Sequence, residues 1–136
     1  TFKIELEREQ DGRWIAEIPD LAGVLCYAAN QSEAVAKVQA LALRVLAERL
    51  EHQEAPGEFL NVHSKLREQL ARGQGPARFA ALLRIGWRIK RQSGSHRTLA
   101  RDGWPDFVFA FHDDEEIGPA MLRRIAKRTG LQPSDL

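Results

Sequence analysis

Phe2, Ile4 and Leu6 alternate with Lys3, Glu5 and Glu7, the period-two pattern of a strand with one buried face. Asp11-Gly12 marks a tight turn. Residues 14–18 read as the return strand, ended by Pro19-Asp20, and residues 24–27 as a short apolar third strand. At Asn30 the period changes. Asn30 followed three residues later by Glu33 is a helix start in the manner of a capping box, and no Pro or Gly interrupts the chain until after Glu51. Val35, Val38, Ala42 and Val45 form one apolar stripe of this helix, and Leu43, Leu46 and Leu50 a neighbouring one. Three short strands offer the helix only one face, so the second stripe is expected to meet another subunit or the rest of the chain. Pro56-Gly57 breaks the helix, and residues 59–62 read as an edge strand.

The stretch 63–74 is rich in Lys, Arg, Glu and Gln, with Leu66 and Leu70 four apart, and reads as a short helix before the break at Gly73-Gln74-Gly75-Pro76. Phe79, Leu82 and Leu83 then recur at helical spacing up to Gly86. Residues 87–92 read as a strand with Trp87 and Ile89 on one face and Arg88 and Lys90 on the other. Ser93-Gly94 turns the chain into a strand over 95–101, and Asp102-Gly103 turns it again. Phe107, Phe109 and Phe111 alternate along a third strand, an aromatic stripe that serves a small domain as sheet core rather than as a base-stacking platform. Ile117 and Pro119 open a last helix ending at Gly130, with Met121, Leu122 and Ile125 inward and Arg123, Arg124, Lys127 and Arg128 outward. The fold class is α+β in two modules: βββαβ over residues 1–62 and αβββα over 76–136, joined by a linker at 63–75.

At 136 residues with 43% hydrophobic and 29% charged side chains, the composition is that of an ordinary soluble protein. No apolar run reaches the length of a membrane span and no signal-peptide pattern opens the chain, so no membrane partner is expected. The single cysteine, Cys26, excludes an internal disulfide and fits a reducing, cytoplasmic setting; among Val24, Leu25 and Tyr27 it reads as a small buried hydrophobe. The net charge of +1 hides a division: residues 1–62 carry 6 Lys/Arg against 11 Asp/Glu, and residues 63–136 carry 14 against 8. An acidic half joined to a basic half suggests modules that attract each other, or a basic module held off an anionic ligand. The acidic side chains of the first strands themselves read as a solvated face.

Residues 88–99 gather the candidate chemistry. Four permanent cations, Arg88, Lys90, Arg91 and Arg97, surround His96, whose ordinary pKa near ~6.5 leaves both protonation states available. Cleaving RNA without a metal requires deprotonating a 2′-hydroxyl, protonating the leaving 5′-oxygen and stabilising the phosphorane between them. His96 suits either proton transfer. Lys90, Arg91 and Arg97 suit the phosphate, although strand alternation places Lys90 and Arg91 on opposite faces. Gly94 and Ser95 offer backbone N–H donors at the turn, and Arg124, Lys127 and Arg128 a phosphate-contacting helix face. A second proton carrier is not evident; His112 is a candidate that reads first as a structural histidine near the sheet edge. No pair of His or Cys has metal-ligand spacing, so neither a metal nor a cofactor is expected. The acidic run 113–116 reads as a loop favouring the N-terminus of the last helix.

Two resemblances bear on these readings. Ile4-Glu5-Leu6-Glu7, the Asp11-Gly12 turn, the run Trp14-Ile15-Ala16-Glu17-Ile18-Pro19-Asp20-Leu21-Ala22-Gly23-Val24 and the helix opening at Ser32-Glu33-Ala34 resemble the HicB antitoxin family. That resemblance implies a degenerate ribonuclease H-like fold, a partner toxin to be neutralised, and homo-oligomers formed through this module. Phe79-Ala80-Ala81-Leu82-Leu83, Gly86-Trp87, Arg91-Gln92-Ser93-Gly94-Ser95-His96, Glu116-Ile117 and the close at Thr129-Gly130-Leu131 resemble the HicA toxin family. It implies a double-stranded-RNA-binding-like fold and metal-independent cleavage of mRNA in which His96 is required. Many members carry a second histidine where this chain has Arg97. The expected protein is a toxin–antitoxin ribonuclease whose acidic module masks the basic one, within one chain or between chains. The alternative is a non-catalytic RNA-binding or protein-interaction module of the same fold.

Overall fold

A computed structural model describes residues 2–54 and 77–136. The edge strand expected at 59–62, the short helix within 63–74 and the linker lie outside the described residues. In the first half, β1 (Glu5–Arg8), β2 (Trp14–Glu17) and β3 (Leu25–Ala28) form an antiparallel sheet in sequence order, followed by α1 (Gln31–Glu51). In the second half, α2 (Ala77–Arg84) precedes a second antiparallel sheet of β4 (Arg88–Ser93), β5 (His96–Arg101) and β6 (Trp104–Phe109), and α3 (Pro119–Thr129) follows it. This mixed α+β order is the one read from the periodicities. Among the described residues no helix is long and apolar enough to cross a membrane.

Alternation in the first sheet sends two different sets of side chains to its two faces. Leu6 pairs with Ala16 and Ala16 with Cys26, and this face packs under α1 through Ala34, Val38, Leu41, Ala42 and Val45. Asn30 starts that helix as expected, its side-chain oxygen accepting the Glu33 N–H at 2.8 Å. Cys26 is half-buried, and burial pushes its thiol up to about 11, so it is no thiolate nucleophile at neutral pH.

The other face carries Glu5, Glu7 and Glu17 beside Ile15, Leu25 and Tyr27. The acidic residues do not lie on a solvated face as expected, because this face is covered as well. Ile15, Leu25 and Tyr27 belong to one buried cluster with Phe107, Phe109, Phe111, Ile117, Met121 and Ile125 of the second half. The apolar members of the alternation commit the whole face to burial, and the glutamates go with them.

The second sheet joins the halves from its own side. Leu99, Phe107 and Phe109 face the cluster containing α2 and α3, so the aromatic stripe is core. Val108 and Ala110 point the other way, into the cluster built on α1 and the first sheet. The backbone confirms how close the approach is: Val108 N–H donates to the Ala22 carbonyl at 3.0 Å. Gly23, at φ +88°, lies so near Val108 that any Cβ would overlap its backbone.

The second stripe of α1 is only partly covered. Leu46 packs against the cluster built on α1 and the first sheet, whereas Leu43 and Leu50 remain 68% and 70% exposed. Beside that apolar contact, Arg44, Ala47, Glu48 and Glu51 of α1 line a cleft with the β4–β5 turn.

Candidate functional site

The hairpin of β4 and β5 turns at Gly94-Ser95, one residue later than expected, with Ser93 paired to His96 and Gly94 at φ +58°. Its strands are not evenly alternating. Ile89 pairs with Leu99 but Arg91 pairs with Thr98, so Lys90 is an extra residue inserted into the register. That bulge overturns the expectation that Lys90 and Arg91 point apart. Both reach the same carboxylate: Lys90 Nζ lies 2.9 Å from Glu54, and Arg91 donates to the two oxygens of Glu54 at 2.8 and 2.7 Å.

Glu54 is placed by the end of α1. After Glu51 the chain turns through Gln53 at φ 57°, and the Glu54 N–H closes onto the Arg49 carbonyl at 2.7 Å. Arg91 also bonds Glu48 within α1, and Lys90 also bonds Asp106 of β6 at 2.7 Å. Glu54 is 6% exposed, yet its carboxyl is drawn down to about 2, chiefly by the Arg91 hydrogen bonds and against the cost of burial. Burial disfavours the Lys90 charge, but Asp106 and Glu54 outweigh it and raise its pKa. Two of the cations expected to hold a phosphate are thus paired with carboxylates of the first half, and Lys90 with Asp106 as well.

His96 opens β5 half-buried on the face turned to α1. It lines two adjoining clefts, one with Arg44, Glu48 and Ser95, the other with Lys37, Arg44 and His112. Burial lowers its pKa first, Arg44 and His112 lower it further, and Glu48 opposes them. His112, which the sequence ranked behind a structural role, therefore shares a cleft with His96. Arg97, its neighbour in sequence, does not. Alternation puts the Arg97 guanidinium under α2, 4.6 Å from the Phe79 ring centre and 3.4 Å from Asp113. Gly94 and Ser95 are exposed at the turn.

Of the expected helix cations, Arg124 and Arg128 are not on an outer face. Arg124 bonds Glu17 at 2.5 Å and Glu5 at 2.9 Å, and Arg128 lies 3.5 Å from Glu17. Lys127 is exposed. The residue that sequence reasoning missed is Glu9. It is 4% exposed, and its carboxylate accepts the Ala120 and Met121 N–H groups at 3.1 and 3.0 Å and the Tyr27 hydroxyl at 3.0 Å. Burial works against its charge, but the N–H groups of α3 prevail and lower its pKa. The acidic loop 113–116 was expected to favour this helix end, yet the cap comes from the other half of the chain. The signal available was a glutamate continuing the Glu5, Glu7 alternation immediately before the first turn.

With the site described, comparison with known proteins adds one finding. Residues 79–131 match the model of the HicA toxin of bacterial toxin–antitoxin systems. The matched span runs from within α2 to the residue after Gly130 and contains the whole hairpin and His96. No curated protein and no solved structure matches the chain. The second half is thus supported as a HicA-type domain of a toxin–antitoxin protein.

Proposed function

We propose that the chain is a self-inhibited toxin–antitoxin ribonuclease. In this reading residues 76–136 form a HicA-type module with a double-stranded-RNA-binding-like fold that cleaves mRNA without a metal. Residues 1–62 form a HicB-type antitoxin module with a degenerate ribonuclease H-like fold, and residues 63–75 link them. The HicB assignment rests on the residues quoted for its resemblance. The observation that carries the inhibited state is the clamp: Glu48 and Glu54 occupy Lys90 and Arg91, where phosphodiester oxygens would otherwise bind.

Chemically, His96 takes the proton of a 2′-hydroxyl whose oxygen then attacks the adjacent phosphorus; the P–O5′ bond breaks, leaving a 2′,3′-cyclic phosphate, and the departing 5′-oxygen takes its proton from water or from the His96 imidazolium. Lys90, Arg91 and the Gly94 and Ser95 N–H groups steady the charge that develops. General-base assistance of this kind is worth on the order of 10²–10⁴-fold. In the closed chain burial and Arg44 lower the His96 pKa, which favours the neutral, proton-accepting form of the imidazole. Arg124 and Arg128, committed to Glu5 and Glu17, contact RNA only if α3 separates from the first sheet. Homo-oligomers, expected through the first half, have the exposed Leu43 and Leu50 of α1 available to them.

The test is to open the clamp in the full chain with Glu48→Lys and Glu54→Lys and to follow mRNA by gel. Cleavage should rise well above that of the parent and disappear when His96→Ala is added. RNA bound with a steep salt dependence but left intact would instead select the non-catalytic RNA-binding module.

A further inference from the structure

The cleft of about 380 Å³ between α1 and the second sheet collects four basic side chains from both halves: Lys37, Arg44, His96 and His112. Both imidazoles line it, His96 from the start of β5 and His112 from the chain just beyond the end of β6. Arg97 and Phe109 are the last pair of β5 and β6, so His96 and His112 lie at the same end of that sheet.

Elsewhere between the halves, cations are matched. Lys90 has Glu54 and Asp106, Arg91 has Glu48 and Glu54, and Arg124 has Glu5 and Glu17. The cleft differs. The natural partner of Arg44 is Glu48, four residues on along the helix, but the Glu48 carboxylate is turned to Arg91. Among the described residues neither Arg44 nor Lys37 has a carboxylate within ion-pair distance. Lys37 donates one hydrogen bond, 2.8 Å long, to the Tyr27 carbonyl and retains further N–H groups. Glu115, the one carboxylate among the described residues that line this cleft, accepts the backbone N–H of His112. Its remaining walls include Leu41 and Phe111, low-dielectric surfaces that strengthen the cationic field.

We propose that this cleft is a phosphate-binding site built jointly by the two halves, in which Lys37 and Arg44 of α1 and His96 and His112 of the second sheet hold a phosphate monoester. The nucleotide as source of that monoester rests on the ribonuclease reading; the cationic cleft itself does not. α1 then does more than cover His96. It excludes a long polyanion by its clamp while completing a site for a small one.

The experiment titrates the full-length, closed chain with inorganic phosphate and, separately, with uridine 3′-monophosphate, following the His96 and His112 imidazoles by NMR at ionic strength held constant with sodium chloride. Both imidazoles should shift saturably. Arg44→Gln and Lys37→Gln should each weaken binding about tenfold, as expected for a charge-assisted hydrogen bond, and Arg44→Lys should recover part of it. Arg88→Gln, whose guanidinium is paired with Asp102, serves as the control and should bind like the parent. Tighter binding of the nucleotide supports a nucleotide phosphate as the natural ligand, and equal binding supports free phosphate. Absence of saturable shifts, or unchanged binding by Arg44→Gln, overturns the site. Cleavage by the opened Glu48→Lys, Glu54→Lys chain without phosphate binding by the closed one overturns this proposal alone. Phosphate binding without any cleavage overturns the ribonuclease reading and leaves the site standing.

Discussion

Both basic surfaces of the second half, α3 and the β4–β5 hairpin, are met by carboxylates of the first, but the two contacts are built differently. At α3 the glutamates sit within a continuous apolar interface of Ile15, Leu25, Tyr27, Ile117 and Met121, and Glu9 completes the helix itself. At the hairpin the contact is ionic: Glu48 and Glu54 on Lys90 and Arg91, beside open clefts. An apolar interface separates only at the cost of exposing its core, whereas a charge clamp is weakened by protons, salt or a competing anion. The first contact therefore holds the halves together through buried surface, and the second is the one that protons, salt or a competing anion would loosen.

The sharpest way to break the joint is Gly23→Val. Its φ of +88° disfavours a β-branched residue, and the added side chain would overlap the Val108 backbone. Losses of about 5 kcal/mol are expected, read as a collapse of the denaturation midpoint together with loss of the Val108 amide's exchange protection. Glu9→Ala should cost slightly less, about 4 kcal/mol, because two buried N–H groups of α3 and the Tyr27 hydroxyl lose their acceptor. A variant that melts like the parent would show that α3 is held by apolar packing alone.

The clamp is tested by acid. Glu54 titrates at about 2 in the fold against an ordinary value of 4.5. Because its folded pKa is depressed, its contribution is fully present above 4.5 and is lost as pH falls towards about 2. The whole contribution is about 3 kcal/mol, from ~1.4 kcal/mol per pKa unit. Denaturation at pH values from 5 down to 2 should show this loss, and Glu54→Gln should flatten that part of the profile. An unchanged slope in Glu54→Gln would assign the acid sensitivity to other carboxylates.

The elements were legible because each obeys a local rule: alternation in β1 and β6, a cap at Asn30, a left-handed stop at Gly130. The hairpin, and the place of His96 near the start of its second strand, were legible for the same reason. What was not legible depended on which surfaces meet. Glu5, Glu7 and Glu17 look identical whether they face water or Arg124, and only the net charges of the halves hinted at the second case. The bulge at Lys90 belongs to a pairing of two strands, so alternation within one strand could not show it. The same limit hid the company of His96, since Arg44 and His112 reach it from another helix and beyond another strand.

The smallest effect expected is on His96 itself. In the closed chain its imidazole should titrate below an ordinary histidine, because burial and the positive charges of Arg44 and His112 disfavour the imidazolium more than Glu48 favours it. Arg44→Gln removes a positive charge from an exposed position, so stability should hardly change while the His96 pKa moves up. The sign discriminates between the two contacts. A lowered folded pKa means that the unfolded chain binds more protons, so this group alone makes the fold slightly less stable as pH falls through the ordinary histidine range. Glu9 and Glu54 act only at lower pH, so an effect near neutrality that Arg44→Gln diminishes belongs to the hairpin side. Carbon-detected imidazole titrations of parent and variant give the answer directly. A His96 midpoint that Arg44→Gln leaves in place would mean that the α1 cations are screened from the cleft, and that the hairpin face is as balanced as the α3 face.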